Sequence, residues 1–300
     1  MFRLSEMPDQ KGKIAIVTGA NIGLGYETAK ALAMKGAKVI MACRNRDKAD
    51  SAMKAILNEW PDADLEFISL DLSSKKSIKS FADSYKAKYS NLDLLINNAG
   101  IMIPPYRETE DGFESQWGVN YLGHFYLTGM LMETIENSDH GRVVTLSSLA
   151  HINGKINFDN PNMKDSYKPM VSYRQSKLAC LIFAFELQRR LEAKDSKVIS
   201  VGVHPGVALT NLFAAGPKWM RLIAPLFKGM FNTVEGGAKP SIMGAIDPTM
   251  KGGEYLGPTG KRGMKGEPGI VESNEISKDK AVGDKLWTLS ENLLDYKFDV

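Results

Sequence analysis

The feature that most constrains this chain is the alternation of short β-branched runs with longer amphipathic segments over its first two thirds. Lys13 to Thr18, Ala37 to Cys43, Leu65 to Leu70, Leu92 to Asn97, Arg142 to Ser147 and Val198 to Val203 read as buried strands. Glu27 to Met34, Asp47 to Glu59, Lys75 to Lys88, about Glu110 to Glu136 and Ser172 to Glu192 carry helical spacing between them. A strand that returns parallel to its predecessor needs a crossover, and a helix supplies one of right-handed sense. The pattern predicts an α/β fold, a doubly wound parallel sheet of about seven strands in three α/β/α layers. No internal repeat or long linker divides the 300 residues, so 1–12 reads as a short lead and 13–300 as one domain.

Two stretches break the rhythm. His151 to Pro169 is rich in Asn, Asp, Lys and Pro and reads as a loop. Phe213 to Phe231 is apolar, with Trp219, Met220, Ile223, Leu226, Phe227, Met230 and Phe231 near helical spacing. It fits a substrate lid at about 207–233, and equally core packing or a subunit interface. Met102, Ile103, Tyr106, His151 and Ile152 are candidate pocket walls. Further on, Gly252 to Gly257 suggests a last short strand, followed by a glycine- and lysine-rich loop and a helix from about Ser277 to Leu294.

Composition removes several function classes. The net charge of +3 argues for no nucleic acid or anionic membrane partner. No window is apolar enough for a membrane span, and Met1 to Lys13 has no signal-peptide core, so a cytoplasmic protein is expected. Cys43 and Cys180 fit reduced thiols. The four histidines, His124, His140, His151 and His204, lack metal-ligand spacing, and no metal site is expected.

After the first strand comes Thr18-Gly19-Ala20-Asn21-Ile22-Gly23-Leu24-Gly25, opening a helix. Glycines at this junction allow a tight turn and a close approach to a pyrophosphate, and the helix N-terminus offers free N–H groups. The loop has no Lys-Ser/Thr ending, which argues against a nucleoside triphosphatase. The second strand ends in Cys43-Arg44-Asn45-Arg46, where an NAD-binding chain carries an acid for the ribose hydroxyls. A guanidinium at Arg44 suits a 2′-phosphate, and NADP is the expected cofactor.

Tyr173 and Lys177 stand four apart in a helical stretch, on one face. An ammonium beside a phenol favours the phenolate, so such a pair exchanges a proton nearer neutral pH than a lone tyrosine. Tyr-x-x-x-Lys is common by chance, and its weight comes from its company.

That company resembles the short-chain dehydrogenase/reductase family over about Lys13 to Leu256. The matching motifs are the glycine loop, Asp71-Leu72, Asn97-Asn98-Ala99-Gly100, Asn120, Ser147-Ser148, Tyr173-x-x-x-Lys177 and Pro205-Gly206, in that order. Cys43-Arg44, Asp111 to Glu114, Asn120 to Phe125 and Ser147 to His151 look like its retinol-dehydrogenase-like branch, which also resembles light-dependent protochlorophyllide reductases.

The resemblance implies a Rossmann-type fold and hydride transfer between NADP(H) and a lipophilic carbonyl or alcohol. It makes Tyr173 the general acid/base, Lys177 its partner on the nicotinamide ribose, Ser148 the carbonyl-orienting hydroxyl and Asn120 the anchor of a proton-relaying water. Ser147 would be structural. Gly19, Asn21, Ile22, Gly23 and Gly25 would hold the pyrophosphate, and Arg44 with Asn45 the 2′-phosphate. Asp71 and Leu72 would contact the adenine, Asn98, Ala99 and Gly100 would line the trough, and Pro205, Gly206 and Thr210 would flank the nicotinamide. It implies a homodimer or homotetramer. Membrane-bound members of the branch carry an N-terminal anchor, which a chain starting just before its first strand is expected to lack. A catalytically silent NADP-binding scaffold is the alternative, which the complete set of catalytic motifs argues against. A light-dependent reductase is disfavoured because no cysteine-bearing pocket for a pigment is evident.

Overall fold

The computed structural model describes residues 2–207 and 232–300. In it, β1 (Ile14–Thr18), β2 (Lys38–Cys43), β3 (Leu65–Ser69), β4 (Leu94–Asn97), β5 (Arg142–Leu146), β6 (Ile199–Val203), β7 (Tyr255–Pro258) and β8 (Pro268–Ile270) make one sheet. Their order is β3-β2-β1-β4-β5-β6-β7-β8. Neighbours from β3 to β7 run parallel, and β8 alone is antiparallel, on β7. The doubly wound Rossmann-type fold is as expected, with one strand more than the seven anticipated. That strand, Pro-Gly-Ile, has weak β propensity and exists because the β7 edge pairs it.

The helices are α1 (Gly23–Met34), α2 (Arg46–Glu59), α3 (Lys75–Lys86), α4 (Gly123–Glu136), α5 (Pro169–Ala193), α6 (Val234–Ile246), α7 (Glu275–Lys278) and α8 (Lys280–Leu294). Caps define several starts. Asn45 accepts from Lys48 N at 2.8 Å, Thr233 from Gly236 N at 2.9 Å, and Asp279 from Ala281 N and Val282 N at 2.8 and 3.1 Å. The long helix expected from about Glu110 starts later. A bridge between Glu108 and Glu114 holds the chain extended first, and Trp117–Leu122 forms a π-helical turn before α4.

Each sheet face buries its own apolar cluster. One combines Leu32, Ile56 and Ile242 with Val17 and Val39. The other combines Phe81, Trp117, Phe125, Phe183 and Trp287 with Ile16 and Leu95. The lead returns to the body, with Phe2 N donating to Glu267 Oε2 at 2.8 Å and Leu4 and Met7 packed on the first cluster. The chain winds outward from β1 to β3, then crosses back to set β4 beside β1, pairing Val17 with Ile96. This reversal opens a crevice at the C-terminal ends of β1 and β4, where ligands of such sheets bind.

Candidate active site

The crevice is lined first by the glycine loop. Gly19 and Gly23 adopt φ of +66° and +63°, open to glycine at little cost. Gly19 N donates to Ala42 O at 2.9 Å, tying the loop to β2. A Cβ on Gly25 would lie 2.4 Å from Gly19 O and 2.5 Å from Asn98 Nδ2, so only glycine lets α1 begin so close to the end of β4. Ile22, exposed at the N-cap, supplies no side-chain cap, and the first N–H groups of α1 are left for a ligand or solvent. Beneath the loop, burial pushes the Cys43 thiol up to about 11, against the lowering influence of the neighbouring Ala20 and Asn21 amides.

Thr18 joins β1 to β4. Its hydroxyl oxygen accepts from Asn98 N and Ala99 N, both at 2.9 Å, and lies 2.9 Å from His124 Nε2. His124 Nδ1 faces the Asn120 carbonyl at 2.9 Å, so Nδ1 carries the proton and Nε2 accepts from Thr18. Burial depresses this imidazole to about 4, consistent with a neutral ring. Asn98 Nδ2 also donates to Thr18 O at 2.7 Å. In the sequence His124 stands within the Asn120 to Phe125 motif with nothing to mark its role beyond a spacing of four from Asn120 on a helix.

Asn120 sits inside the π-helical turn, buried. Its Oδ1 accepts from Ile101 N at 2.8 Å, and its Nδ2 donates to Ile101 O and Ser176 Oγ, both at 3.0 Å. It thus fastens the segment after Gly100 to α5. A Cβ on Gly100 would fall 3.2 Å from Asn120 Oδ1 and 3.5 Å from Lys177 Nζ. Buried Lys177 donates to Leu146 O at 2.9 Å, at the end of β5. Its ammonium therefore lies against the trough formed by Asn98 to Gly100, and two of its N–H groups have no acceptor among the described residues.

The two serines after β5 separate by role. Ser147 is buried and donates to Lys177 O at 2.7 Å, binding the strand to α5. Ser148 is half-buried, and its oxygen accepts from Ala150 N at 3.2 Å, which leaves its O–H without an acceptor among the described residues. Tyr173, also half-buried, rides α5 one turn before Lys177. His151 is no pocket wall: it lies buried beneath the Ser148 turn, donating from Nδ1 to Ser148 O at 2.7 Å and meeting Tyr255 edge-on at 5.2 Å.

At the far end of the crevice, exposed Arg44 lies 3.8 Å from Asp71. Asp71 Oδ1 accepts from Ser73 N and Oγ at 2.9 and 2.6 Å. Asn45 caps α2, and Leu72 is buried against the start of α4. At the near end, Gly206 has φ of +71°, and Val207 N donates to Met264 O at 2.9 Å. Asn232 N returns to Val207 O at 2.8 Å, and Asn232 Nδ2 to Pro205 O at 3.3 Å. Thr210 and the apolar residues Trp219 to Phe231, for which a lid is one expectation, lie outside the described residues.

Several exposed apolar side chains lie on the segments that carry the site residues. Of the ten large ones exposed among the described residues, Ile103, Tyr106, Ile152, Met170 and Val171 flank the segments that carry Gly100, Ser148 and Tyr173. Buried Gln116 braces the ledge: its Oε1 accepts from Ile103 N at 2.8 Å, and its Nε2 donates to Tyr167 OH at 3.1 Å. Tyr106 meets Tyr167 edge-on at 5.3 Å. Ile103 is held at φ +55°, a costly conformation for a β-branched residue that persists only where the surroundings impose it.

Among the described residues, no group of three or more His, Cys, Asp or Glu side chains is placed to hold a metal. No helix there is long and apolar enough to cross a membrane.

Comparison with known proteins gives a consistent picture. The family model described as short chain dehydrogenase matches residues 13–221. Retinol dehydrogenase 12 of Mus musculus is 37% identical over 290 residues, covering 96% of this chain and 88% of the relative. Polyprenol dehydrogenase of Homo sapiens is 41% identical over 257 residues, covering 83% and 78%. A crystal structure of an uncharacterized protein from Mycobacterium Paratuberculosis superimposes with a TM-score of 0.83 at 37% identity, covering 100% of this chain and 99% of the other.

Proposed function

The chain belongs to the short-chain dehydrogenase family, and from that premise we propose an NADP-dependent oxidoreductase acting on a lipophilic alcohol or carbonyl compound. The observation that carries the reading is Lys177, a buried ammonium held at the end of β5 against the trough, one helical turn from Tyr173. The family implies a nicotinamide cofactor, and the crevice fits one: a bare helix N-terminus behind a tight glycine loop suits a pyrophosphate. Gly19, Asn21, Ile22, Gly23 and Gly25 would hold that group, and Asn98, Ala99 and Gly100 the adjoining ribose. Asp71 and Leu72 would take the adenine, while Pro205 and Gly206, with Thr210, would flank the nicotinamide. Arg44, exposed and facing one carboxylate at long range, is available with Asn45 for a 2′-phosphate, which favours NADP over NAD.

When bound, the dinucleotide supplies or accepts the hydride. In the reducing direction, Tyr173 gives its phenolic proton to the carbonyl oxygen as the carbon takes up the hydride. Lys177 offsets the charge left on the phenolate, and its spare N–H groups suit ribose hydroxyls. Ser148 turns its free O–H to the same oxygen and stabilises negative charge developing there. Asn120 keeps Ile101 and α5 in register, beside the path by which a water would resupply the proton. Oxidation reverses each transfer.

The apolar ledge points to a lipophilic substrate, as do the names of two relatives, a retinol and a polyprenol dehydrogenase. The two buried, unpaired thiols suit a reducing compartment such as the cytoplasm. Self-association into a dimer or tetramer is part of the same reading and is measured by light scattering. The deciding experiment is a panel of long-chain and isoprenoid aldehydes and ketones with NADPH or NADH, followed at the nicotinamide absorbance. Turnover with NADPH is expected, with loss of about 100-fold or more in Tyr173→Phe while cofactor still binds. Tight NADPH binding without turnover of any carbonyl, or full activity in Tyr173→Phe, would remove the proposal.

A further inference from the structure

Among the described residues nothing hydrogen-bonds the Tyr173 hydroxyl, so its aim depends on the helix that carries it. That helix begins at Pro169, and Lys168 at its N-cap provides no side-chain cap. A first turn without capping partners is prone to fray. Here the support comes from the segment leading into α4. Glu114 is fully buried, and its Oε2 accepts from Ser172 Oγ at 2.5 Å and Trp117 N at 2.9 Å. Its Oε1 accepts from Gln116 N at 2.9 Å and Ser115 Oγ at 3.2 Å. Its own N–H donates to Asn162 Oδ1 at 3.0 Å. Gln116 Nε2 adds a bond to Pro169 O at 2.9 Å, on the first residue of α5.

We propose that Glu114 is a positioning residue for the proton-transfer tyrosine, acting through Ser172 to fix the rotation and axial position of the opening turns of α5. The inference rests on the reading of Tyr173 as acid/base group. A buried carboxylate is a costly way to join two helices, and apolar contact would serve stability more cheaply. Its four donors instead include two amides at a helical N-terminus, where negative charge is favoured, and the hydroxyl one residue before Tyr173. A carboxylate acceptor makes a shorter and stronger bond than a neutral one, which suits a joint that must not slip. Ser172 is buried, so water cannot replace it as the donor without repacking.

The test compares Ser172→Ala, which leaves Glu114 three donors and is expected to fold, with Ser172→Thr, which keeps the hydroxyl. Amide hydrogen exchange over 169–177, melting temperature, NADPH affinity and steady-state kinetics on the fastest aldehyde of the panel are measured on the full chain. Ser172→Ala is expected to speed exchange in 169–177 and to lower kcat about tenfold, with KM and NADPH Kd within about twofold. Ser172→Thr is expected to match wild type in both. Unchanged exchange and kcat in Ser172→Ala overturn the proposal, as does a lower melting temperature with unchanged kcat, or a loss that Ser172→Thr shares. Wild type that binds NADPH but turns over no carbonyl overturns the functional reading instead. The exchange rates then decide alone whether Ser172 holds this turn.

Discussion

His124 and His204 show how single residues hold the crevice together. His124 must be neutral to accept from Thr18 while donating to Asn120 O, and His204 Nδ1 must be bare to accept from Gly206 N at 3.1 Å. Burial depresses both from 6.5 to about 4. The unfolded chain protonates these rings near pH 6.5 and the folded chain near 4, so stability present above pH 6.5 is lost as pH falls between those values. The loss is on the order of 3 kcal/mol for each by pH 4. Urea denaturation at pH 7 and pH 4.5 should show a marked fall in unfolding free energy, smaller in His204→Asn. Equal stability at the two pH values would contradict neutral burial. The sequence alone marked neither ring, because a histidine's state depends on what faces each nitrogen.

Elements follow the sequence where periodicity is strong and depart from it where backbone contact decides. The six expected strands and most helices lie within a few residues of their apolar patterns. Helix α6 was not foreseen: Gly236, Gly237 and Pro240 break its pattern. It forms because Thr233 caps it and because a Cβ on Gly244 would meet Val201 Cγ2 at 2.9 Å, so small residues let it lie close on the sheet. Helix α1 likewise starts four residues before its expected first residue, Glu27, since Gly23 and Gly25 permit an approach that propensity does not reveal. Gly25→Ala should therefore disrupt the junction of loop, Thr18 and Asn98. It is expected to cost about 1–3 kcal/mol and to weaken NADPH binding more than tenfold, measured by thermal denaturation and fluorescence titration. Wild-type cofactor affinity in that variant would show that the close approach is unnecessary.

For the whole molecule, the C-terminal segment completes one layer. Trp287 on α8 and Phe298 beyond it pack on Phe125 at 4.9 and 5.2 Å, and Arg190 from α5 lies over the Trp287 ring at 4.3 Å. A Cβ on Gly129 would meet Tyr296 at 2.7 Å, so α4 is shaped to receive this tail. Phe298→Ala should cost about 3–5 kcal/mol in denaturant unfolding, with KM for NADPH in the surviving folded fraction unchanged. A cost under about 1 kcal/mol would mean that the tail merely rests on the surface. The sequence by itself determined the layered α/β architecture, the glycine loop and the order of its motifs, because strand and helix periodicity and glycine placement are local properties of the chain. Only the tertiary structure decided that β4 returns beside β1, that Ser147 faces α5 while the Ser148 O–H has no acceptor among the described residues, and that Lys177 lies against Gly100. It also brought Glu114 to Ser172 across 58 residues. Such contacts depend on how separated segments satisfy one another's buried polar groups, which no local pattern records.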